Sequence, residues 1–453
     1  MQFHILSLEG PDDYSRAGGI ATRVDGLAGA LAEQGFETHL WFVGDPALPG
    51  EESRGRLTLH RWCQWISRLH PGGVYDGEEG KRADYSRSLP PFLVHKMLLP
   101  HFQRPGTRAV VLAEEWQTAD AVLHLDWLLR AAGQRDRVTL LWNANNTFGF
   151  ERIAWPGLAH AAIILTVSRY MRQYMWRLGV DPIVLANGVA DEACRLPDRQ
   201  ALAAFRKRFA GRMVLGKVAR WDPDKRWLLA VDTVADLKRR GRRPLLMARG
   251  GVESHGDEVL ERAAANRLRF AVRRLPAGGL GAFLEGLDGL SDIDILFFSS
   301  PLDAESGRLL YRGADAILAN SGYEPFGLVG LETMAVGGLA CAGGTGEDYV
   351  IPGWNALMLQ TSDPTEFARL FEPLQSDLGR IRAMRRRARW TARQHTWNSI
   401  VERLLLPRLG LEPRAGTLGK AAVRHHEDID RDRSTAKAFP GRKAALAWGA
   451  AAP

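Results

Sequence analysis

Apolar residues along this chain come in two rhythms that take turns. Short unbroken runs have the length of strands buried on both faces: "FHILSL" from Phe3, "THLWFV" from Thr38, "AVVLAEEW" from Ala109, "VTLLWNANN" from Val138, "AAIILTVS" from Ala161 and "PIVLANGV" from Pro182. Between them, "GIATRVDGLAGALAEQG" from Gly19 and "TADAVLHLDWLLRAAG" from Thr118 repeat their apolar positions at the period of a helix. Such alternation predicts parallel sheets covered by helices on both faces. The rhythm breaks at the polar stretch "DEACRLPDRQALAAFRKRFAGR" from Asp191, which carries no strand pattern. It restarts with "MVLGKVAR" at Met213 and runs on through "PLLMARG", "RLRFAV", "DIDILFF", "DAILAN" and "GLACAGG". The pattern therefore predicts an α/β protein of two doubly wound halves meeting near residues 190 to 210. Sheets of this kind bind ligands beyond the carboxyl ends of their strands, so the cleft between the halves is the expected site. After Leu411 the apolar period is lost and residues 412–453 read as a flexible tail. Its His425 and His426, beside Glu427 and Asp428, have metal-ligand chemistry but no scaffold.

Composition narrows the class. With 453 residues the chain exceeds one hydrophobic core, and 45% apolar with 25% charged residues is ordinary for a globular protein. No segment approaches the roughly 20 apolar residues a membrane span requires, and "MQFHILSLEG" lacks the features of a signal peptide, so a cytoplasmic location is expected. Cys63, Cys194 and Cys341 are too scattered for a disulfide framework or a structural zinc site, and no metal is expected. The net charge of +8 suits anionic ligands of many kinds without choosing among them. The run "RIRAMRRRARWTARQ" from Arg380 reads as a solvated helix face. Nucleic acid is not an expected partner. The Trp-bearing "HRWCQWISRLH" at His60 reads as core strand and loop, and leaves peripheral contact with the inner membrane surface open.

Three constellations carry chemistry. In "SRAGGIATRV", after the opening strand, Gly18 and Gly19 let backbone approach a ligand, and the next helix would aim its first amides at an anion with Arg16 in reach; a plain turn fits equally. In "GKVARWDPDKRW", Arg220 and Lys225 flank a turn built by Asp222, Pro223 and Asp224, and two cations so spaced suit a diphosphate, or a surface turn paired to the aspartates. In "NSGYEPFGLVGLETMAVGG", Glu324 stands in the loop after the strand "AILAN", and the amides near Phe326, Gly327 and Leu328 open a helix toward the cleft. Glu332, about two turns after Glu324, can accept hydrogen bonds from the vicinal hydroxyls of a ribose. A capping acid and a solvated glutamate would explain this stretch less well, because Gly327 and Gly330 each cost a helix about 1 kcal/mol relative to Ala.

Together these segments resemble the donor-site signature of retaining glycosyltransferases of family 4. "LYRGADAILANS" precedes the two glutamates and "GGTGEDYVIPGWNAL" follows them, as in that family. "VARWDPDK" resembles its phosphate-binding turn, "AAIILTVSRYM" and "VLANGV" the elements leading to the interdomain linker, and "QHTWNSIVERLL" the returning C-terminal helix. The resemblance covers roughly residues 1 to 410 and implies the GT-B fold, two Rossmann-like domains facing across a cleft. Implied boundaries are 1–195 for an acceptor-binding domain, 196–395 for a nucleotide-sugar domain and 396–411 for the returning helix. The implied activity moves a hexose from a UDP-, ADP- or GDP-sugar to a glycan or small hydroxyl acceptor, with retention, without a metal or any cofactor besides the donor itself. Arg220 and Lys225 would hold the diphosphate, Glu332 the ribose, and Glu324 would lie near the transferred sugar. Gly343 to Glu347 would line the same pocket, and Gly18 and Gly19 would close over the donor.

One departure stands out. Where glycogen and starch synthases carry histidines, this chain has Glu114 and Gln117 at the earlier segment and Asn145 or Asn146 at the later one, and an amide donates a hydrogen bond but does not titrate near neutrality. The asparagines could also simply brace the turn after their strand. Two alternatives are a GT-B phosphorylase or sugar-nucleotide epimerase, and a catalytically inert basic protein that binds surfaces. Donor base, sugar, acceptor and oligomeric state are not legible in the sequence.

Overall fold

Every run read as a buried strand enters one of two sheets in the computed structural model, which describes residues 1–275 and 278–413. The first sheet contains β1 (Gln2–Leu6), β2 (Glu37–Val43), β3 (Glu51–Arg54), β4 (Leu57–Trp62), β5 (Ala109–Glu114), β6 (Val138–Ala144), β7 (Ile163–Thr166) and β8 (Ile183–Val184). Its order is β3-β4-β2-β1-β5-β6-β7-β8. The second contains β9 (Met213–Val218), β10 (Pro244–Arg249), β11 (Phe270–Arg273), β12 (Ile295–Phe298), β13 (Ala316–Ala319), β14 (Ala340–Ala342) and β15 (Leu357–Met358), in the order β11-β12-β10-β9-β13-β14-β15. Only the edge strand β3 runs antiparallel to its neighbour among the described residues. Each sheet reverses its winding once, between β1 and β5 and between β9 and β13, and these switch points are where a doubly wound sheet opens a crevice for ligands.

Helices cover both faces of the sheets. The helix α1 (Gly19–Glu33) buries Val24, Leu27 and Leu31 against β1 and β2. The chain returns to this lobe at its far end, where Trp397, Ile400, Val401, Leu405 and Leu406 join the same core. Trp397 fits only because two neighbours are glycines: a Cβ on Gly26 would lie 2.2 Å from its indole and one on Gly188 2.7 Å. A buried Trp of this kind contributes about 3–5 kcal/mol relative to Ala. Backbone bonds from Val189 N to His395 O (2.9 Å) and Trp397 N to Val189 O (3.0 Å) tie the outgoing and returning chain together.

Four differences from the sequence pattern have physical reasons. "PIVLANGV" forms a strand only over Ile183–Val184, because Asn187 turns inward to accept a bond from Arg23 Nη1 at 2.5 Å. The polar stretch from Asp191 contains the helix Arg199–Arg208, capped by Asp198 and anchored by buried Phe205. A helix over Glu78–Phe92 went unread because Pro90 and Pro91 interrupt its pattern near the end. The arginine-rich helix Leu378–Arg393 presents Arg380, Arg382 and Arg386 to solvent but holds Arg385 and Arg389 half-buried, so its face is not simply solvated.

The segment from His60 completes β4 and a short helix, Gln64–Ser67, with Trp65 and Leu69 exposed. Among the described residues no helix is long and apolar enough to cross a membrane. The tail reading and the His425/His426 pair lie outside the described residues.

Candidate active site

At the second switch point the chain is shaped so that cations meet the end of β13. Leaving β9, it turns through Arg220, whose carbonyl accepts from Trp227 Nε1 at 2.7 Å, while the Trp221 and Trp227 rings pack 4.2 Å apart. Asp222 caps the turn by accepting from Asp224 N at 2.8 Å, and Arg226 closes it at a φ of 53°. Lys225 is thereby held with its Nζ 2.6 Å from Glu324 Oε2, which also accepts from Ser321 Oγ at 3.1 Å. An ammonium has three donors, so this pairing leaves two free. Arg220 is exposed, 4.0 Å from Asp222. Below them Lys217, buried within β9, donates to Leu318 O at 3.1 Å. Burial, with Lys225 and Arg226 nearby, pushes its ammonium down to about 7.

The loop after β13 is propped from behind. Gly346 N donates to Glu324 O at 2.8 Å, and a Cβ at Gly346 would lie 2.1 Å from Pro325 O, so only glycine permits the approach. Buried Glu347 accepts from Gly343 N (3.3 Å) and Thr345 N (3.1 Å), and burial, then Glu324, pushes its carboxyl up to about 7. Tyr349 donates its hydroxyl to Gly327 O, and a Cβ on Gly330 would come within 2.5 Å of that hydroxyl. The helix glycine at 330 is therefore explained by this packing.

The first switch point is built from acids. Glu9, just beyond β1, accepts from Gly18 N (3.0 Å), Ala21 N (3.1 Å) and Tyr75 Oη (2.6 Å). Its carboxylate thus occupies the amino end of α1. Glu115, at a φ of 69° after β5, accepts from Asn145 N at 2.6 Å, and burial pushes its carboxyl up to about 8. Behind it Glu114 is fully buried against Arg23 at 2.9 Å and accepts from Asn143 (2.8 Å) and Asn145 (2.7 Å) side chains. Across the cleft, the Tyr323 and Thr147 hydroxyls are 2.9 Å apart, and Asp348 accepts from Arg169 N at 2.7 Å. The two switch points line one cleft of about 970 Å³. Such a volume lies at the upper end of small-ligand pockets.

Over 406 residues the chain is 27% identical to a D-inositol 3-phosphate glycosyltransferase of Nocardia farcinica, covering 86% of this chain and 84% of that protein. The sucrose-phosphate synthase of Thermosynechococcus elongatus superposes with a TM-score of 0.62 at 18% identity, over 90% of this chain and 98% of that one. The chain is a glycosyltransferase of GT-B fold. The catalytic domain of starch synthase IV from Arabidopsis thaliana, bound to ADP and acarbose, also matches with a TM-score of 0.62 at 15% identity, over 85% of this chain and 94% of that one. No family model matches the glycosyltransferase's sequence.

In this glycosyltransferase the cleft gathers Gly18, Gly19, Asn145, Arg220, Lys225, Glu324, Phe326, Gly327 and Leu328. Three sequence candidates stand elsewhere. Arg16 bonds to Pro11 O at 3.3 Å and lines a separate, smaller hollow, because Glu9 rather than a cation faces the amino end of α1. Glu347 supports the loop from behind. Glu332 is one turn past Leu328, half-buried, with its carboxylate turned to Tyr311 Oη at 3.4 Å, and burial pushes it up to about 7. Asn145 and Asn146 both line the cleft and both brace it: Asn145 holds Glu114, and Asn146 Oδ1 accepts from Phe148 N at 2.7 Å. The earlier-segment Gln117 donates to Glu78 at 3.0 Å. Sequence reasoning did not single out Lys217, Glu9, Tyr75 or Glu115. For Lys217 a signal existed, a lysine inside the otherwise apolar strand "MVLGKV".

Proposed function

We propose that this glycosyltransferase moves a hexosyl group from a nucleoside-diphosphate sugar to a hydroxyl of a glycan or small acceptor, with retention of configuration and without a metal. One observation carries the reading: the three cations lining the cleft, Lys217, Arg220 and Lys225, all stand on the second lobe, beside the opening amides at Phe326 to Leu328. Proteins of the same fold are known bound to ADP and to UDP, which supports a nucleotide on this wall.

In this scheme Lys225 and Arg220 grip the diphosphate, and Lys217 stabilises the charge that grows as the sugar departs. Glu324 steers Lys225 and faces the transferred sugar. Glu332, one turn past the cleft-lining Leu328, receives the ribose hydroxyls by turning its carboxylate from Tyr311 toward the cleft. The bond from the anomeric carbon to the diphosphate oxygen breaks as the acceptor oxygen bonds to the same face. The acceptor's proton passes to the departing diphosphate, so no separate general base is needed.

The first-lobe wall contributes Glu9, Glu78, Glu115 and Glu151 to the cleft and no lysine, arginine or histidine. An acceptor held there is a neutral or amino-bearing polyol, since a phosphate against that wall would meet like charge. Peripheral contact with an anionic membrane, through exposed Trp65 and Leu69, belongs to the proposal and is tested by sedimentation with vesicles.

The decisive experiment is a thermal-shift screen with UDP-, ADP- and GDP-sugars, followed by NMR of the product with and without EDTA. At 100 times its dissociation constant a true donor adds about 2.7 kcal/mol. Expected are a shift with at least one donor, an acceptor-linked sugar of unchanged anomeric configuration, and no loss of rate in EDTA. No shift with any sugar nucleotide overturns the reading. An epimerised sugar nucleotide makes the protein an epimerase, and phosphate-dependent release of a sugar phosphate makes it a phosphorylase.

A further inference from the structure

Away from the cleft, the second lobe encloses a cavity of about 660 Å³ whose wall is basic. Arg206 reaches it from the helix Arg199–Arg208, Arg212 from the approach to β9 and Arg312 from the helix Ala304–Gly313. The helix Leu378–Arg393 adds Arg382, Arg385, Arg386 and Arg389. Against these seven guanidinium groups stands one carboxylate, Asp315, which already accepts from Val214 N at 2.8 Å. None of the seven pairs with a carboxylate among the described residues, although many arginines elsewhere in the chain do. Some are spoken for: Arg212 donates to the Leu290, Pro244 and Ile293 carbonyls, Arg312 to Gly337 O and Arg385 to Ala314 O. Others are left with donors to spare. The Nε atoms of Arg212, Arg385 and Arg389 are buried without a partner, and Arg382 and Arg386 make no hydrogen bond or ion pair among the described residues.

So many like charges around one hollow repel one another: burial, then Arg312 and Arg206, pushes the Arg385 guanidinium down to about 10. A guanidinium fork matches phosphate geometry, and a cavity of this size admits a small molecule. One phosphate group carries roughly two negative charges, so balancing this wall takes more than one. Phe205, Phe209, Val336 and Ile381 give the hollow an apolar side against which the rest of such a molecule can lie. We propose that this arginine-lined cavity is a binding site, separate from the cleft, for a small molecule bearing two or more phosphate groups.

The test uses the full chain and sodium pyrophosphate as probe, titrated calorimetrically at fixed ionic strength. Pyrophosphate can also enter the cleft, so Lys225→Ala is measured in parallel. The pair Arg382→Glu/Arg386→Glu alters two side chains without partners, and its fold is checked by thermal melting; should it unfold, Arg382→Gln/Arg386→Gln replaces it. Expected are retained binding in Lys225→Ala and a loss of about tenfold or more in the double variant. Unchanged affinity in the double variant, or loss only in Lys225→Ala, overturns the proposal. So does failure of pyrophosphate to bind while a single-stranded oligonucleotide binds with a steep salt dependence, which would mark a polymer surface. Absence of binding by either probe overturns it as well.

Discussion

The two switch points have the same topology and opposite chemistry. At the end of β1 the amino end of α1 is occupied by Glu9, so that lobe offers the cleft carboxylates and hydroxyls. After β13 the amides from Phe326 to Leu328 border the cleft, and Lys217, Arg220 and Lys225 stand beside them. The second wall also carries Asp222, Asp224 and Glu324, so it is not simply positive. It offers fixed cations next to free backbone donors, an arrangement that recognises a diphosphate better than net charge would. A doubly wound sheet supplies the crevice, and the residues at its strand ends decide which half of a transfer reaction each crevice serves.

The comparison breaks first at Lys225. In the proposed scheme, removing it takes a cation from the departing diphosphate and leaves Glu324 with Ser321 alone, so Lys225→Ala is expected to lower kcat/KM for the donor about 10²–10³-fold. Steady-state kinetics with the donor identified by thermal shift measures this, and a loss below about threefold would remove Lys225 from the phosphate wall. Next comes Lys217. Its ammonium sits near pH 7, and an incoming diphosphate favours the charged form. Nucleotide binding at a pH about one unit higher should therefore take up as much as about one proton, read from calorimetry in buffers of differing ionisation heat. Lys217→Met should abolish the uptake and weaken nucleotide binding about tenfold.

What the sequence disclosed and what it hid follow from one distinction. Strands buried on both faces need apolar residues at every position, so "AVVLAEEW" and "DIDILFF" announce β5 and β12 without knowledge of their neighbours. Turn chemistry is similarly local, and Asp222-Pro223-Asp224 is legible as a turn that presents Lys225. Contacts made only on closure are not. The reason for Gly330 is the hydroxyl of Tyr349, and the reason Arg16 misses the cleft is Glu9, whose role depends on where Gly18 and Tyr75 arrive. The same holds for the Arg380 run, since a helix period says which residues share a face but not that Arg312 and Arg206 face them across a hollow.

Smaller effects sharpen the contrast through pH. Glu115 has a folded value raised to about 8, so the stability linked to its protonated form is complete below the ordinary carboxyl range and is lost as pH rises through about 8. Lys217 runs the other way: its value is depressed, so stability linked to its neutral form is lost as pH falls through about 7. Glu115→Gln should therefore flatten the decline of Tm as pH rises from about 4.5 to 8, and Lys217→Met the opposite decline as pH falls from the alkaline end to about 7. Melting curves from pH 5 to 9.5 separate them, and matching slopes in both variants and the parent would deny the two walls their opposite electrostatics.

Salt gives the smallest and most selective test. Arg220 is exposed, so part of its attraction for a diphosphate is screened once the Debye length falls from about 10 Å at 0.1 M to about 3 Å at 1 M. Lys217 is buried and is screened far less. Nucleotide affinity should accordingly fall only a few-fold across that range and then level off, with the sloping part removed in Arg220→Ala and the level part in Lys217→Met. A neutral polyol bound to the acidic wall gains nothing from long-range attraction, so its affinity should not move with salt. If acceptor binding weakens with salt as steeply as donor binding, the acceptor is itself charged, either a cation on the acidic wall or an anion drawn to the cations of the other. The assignment of the two walls to neutral acceptor and charged donor would then be wrong.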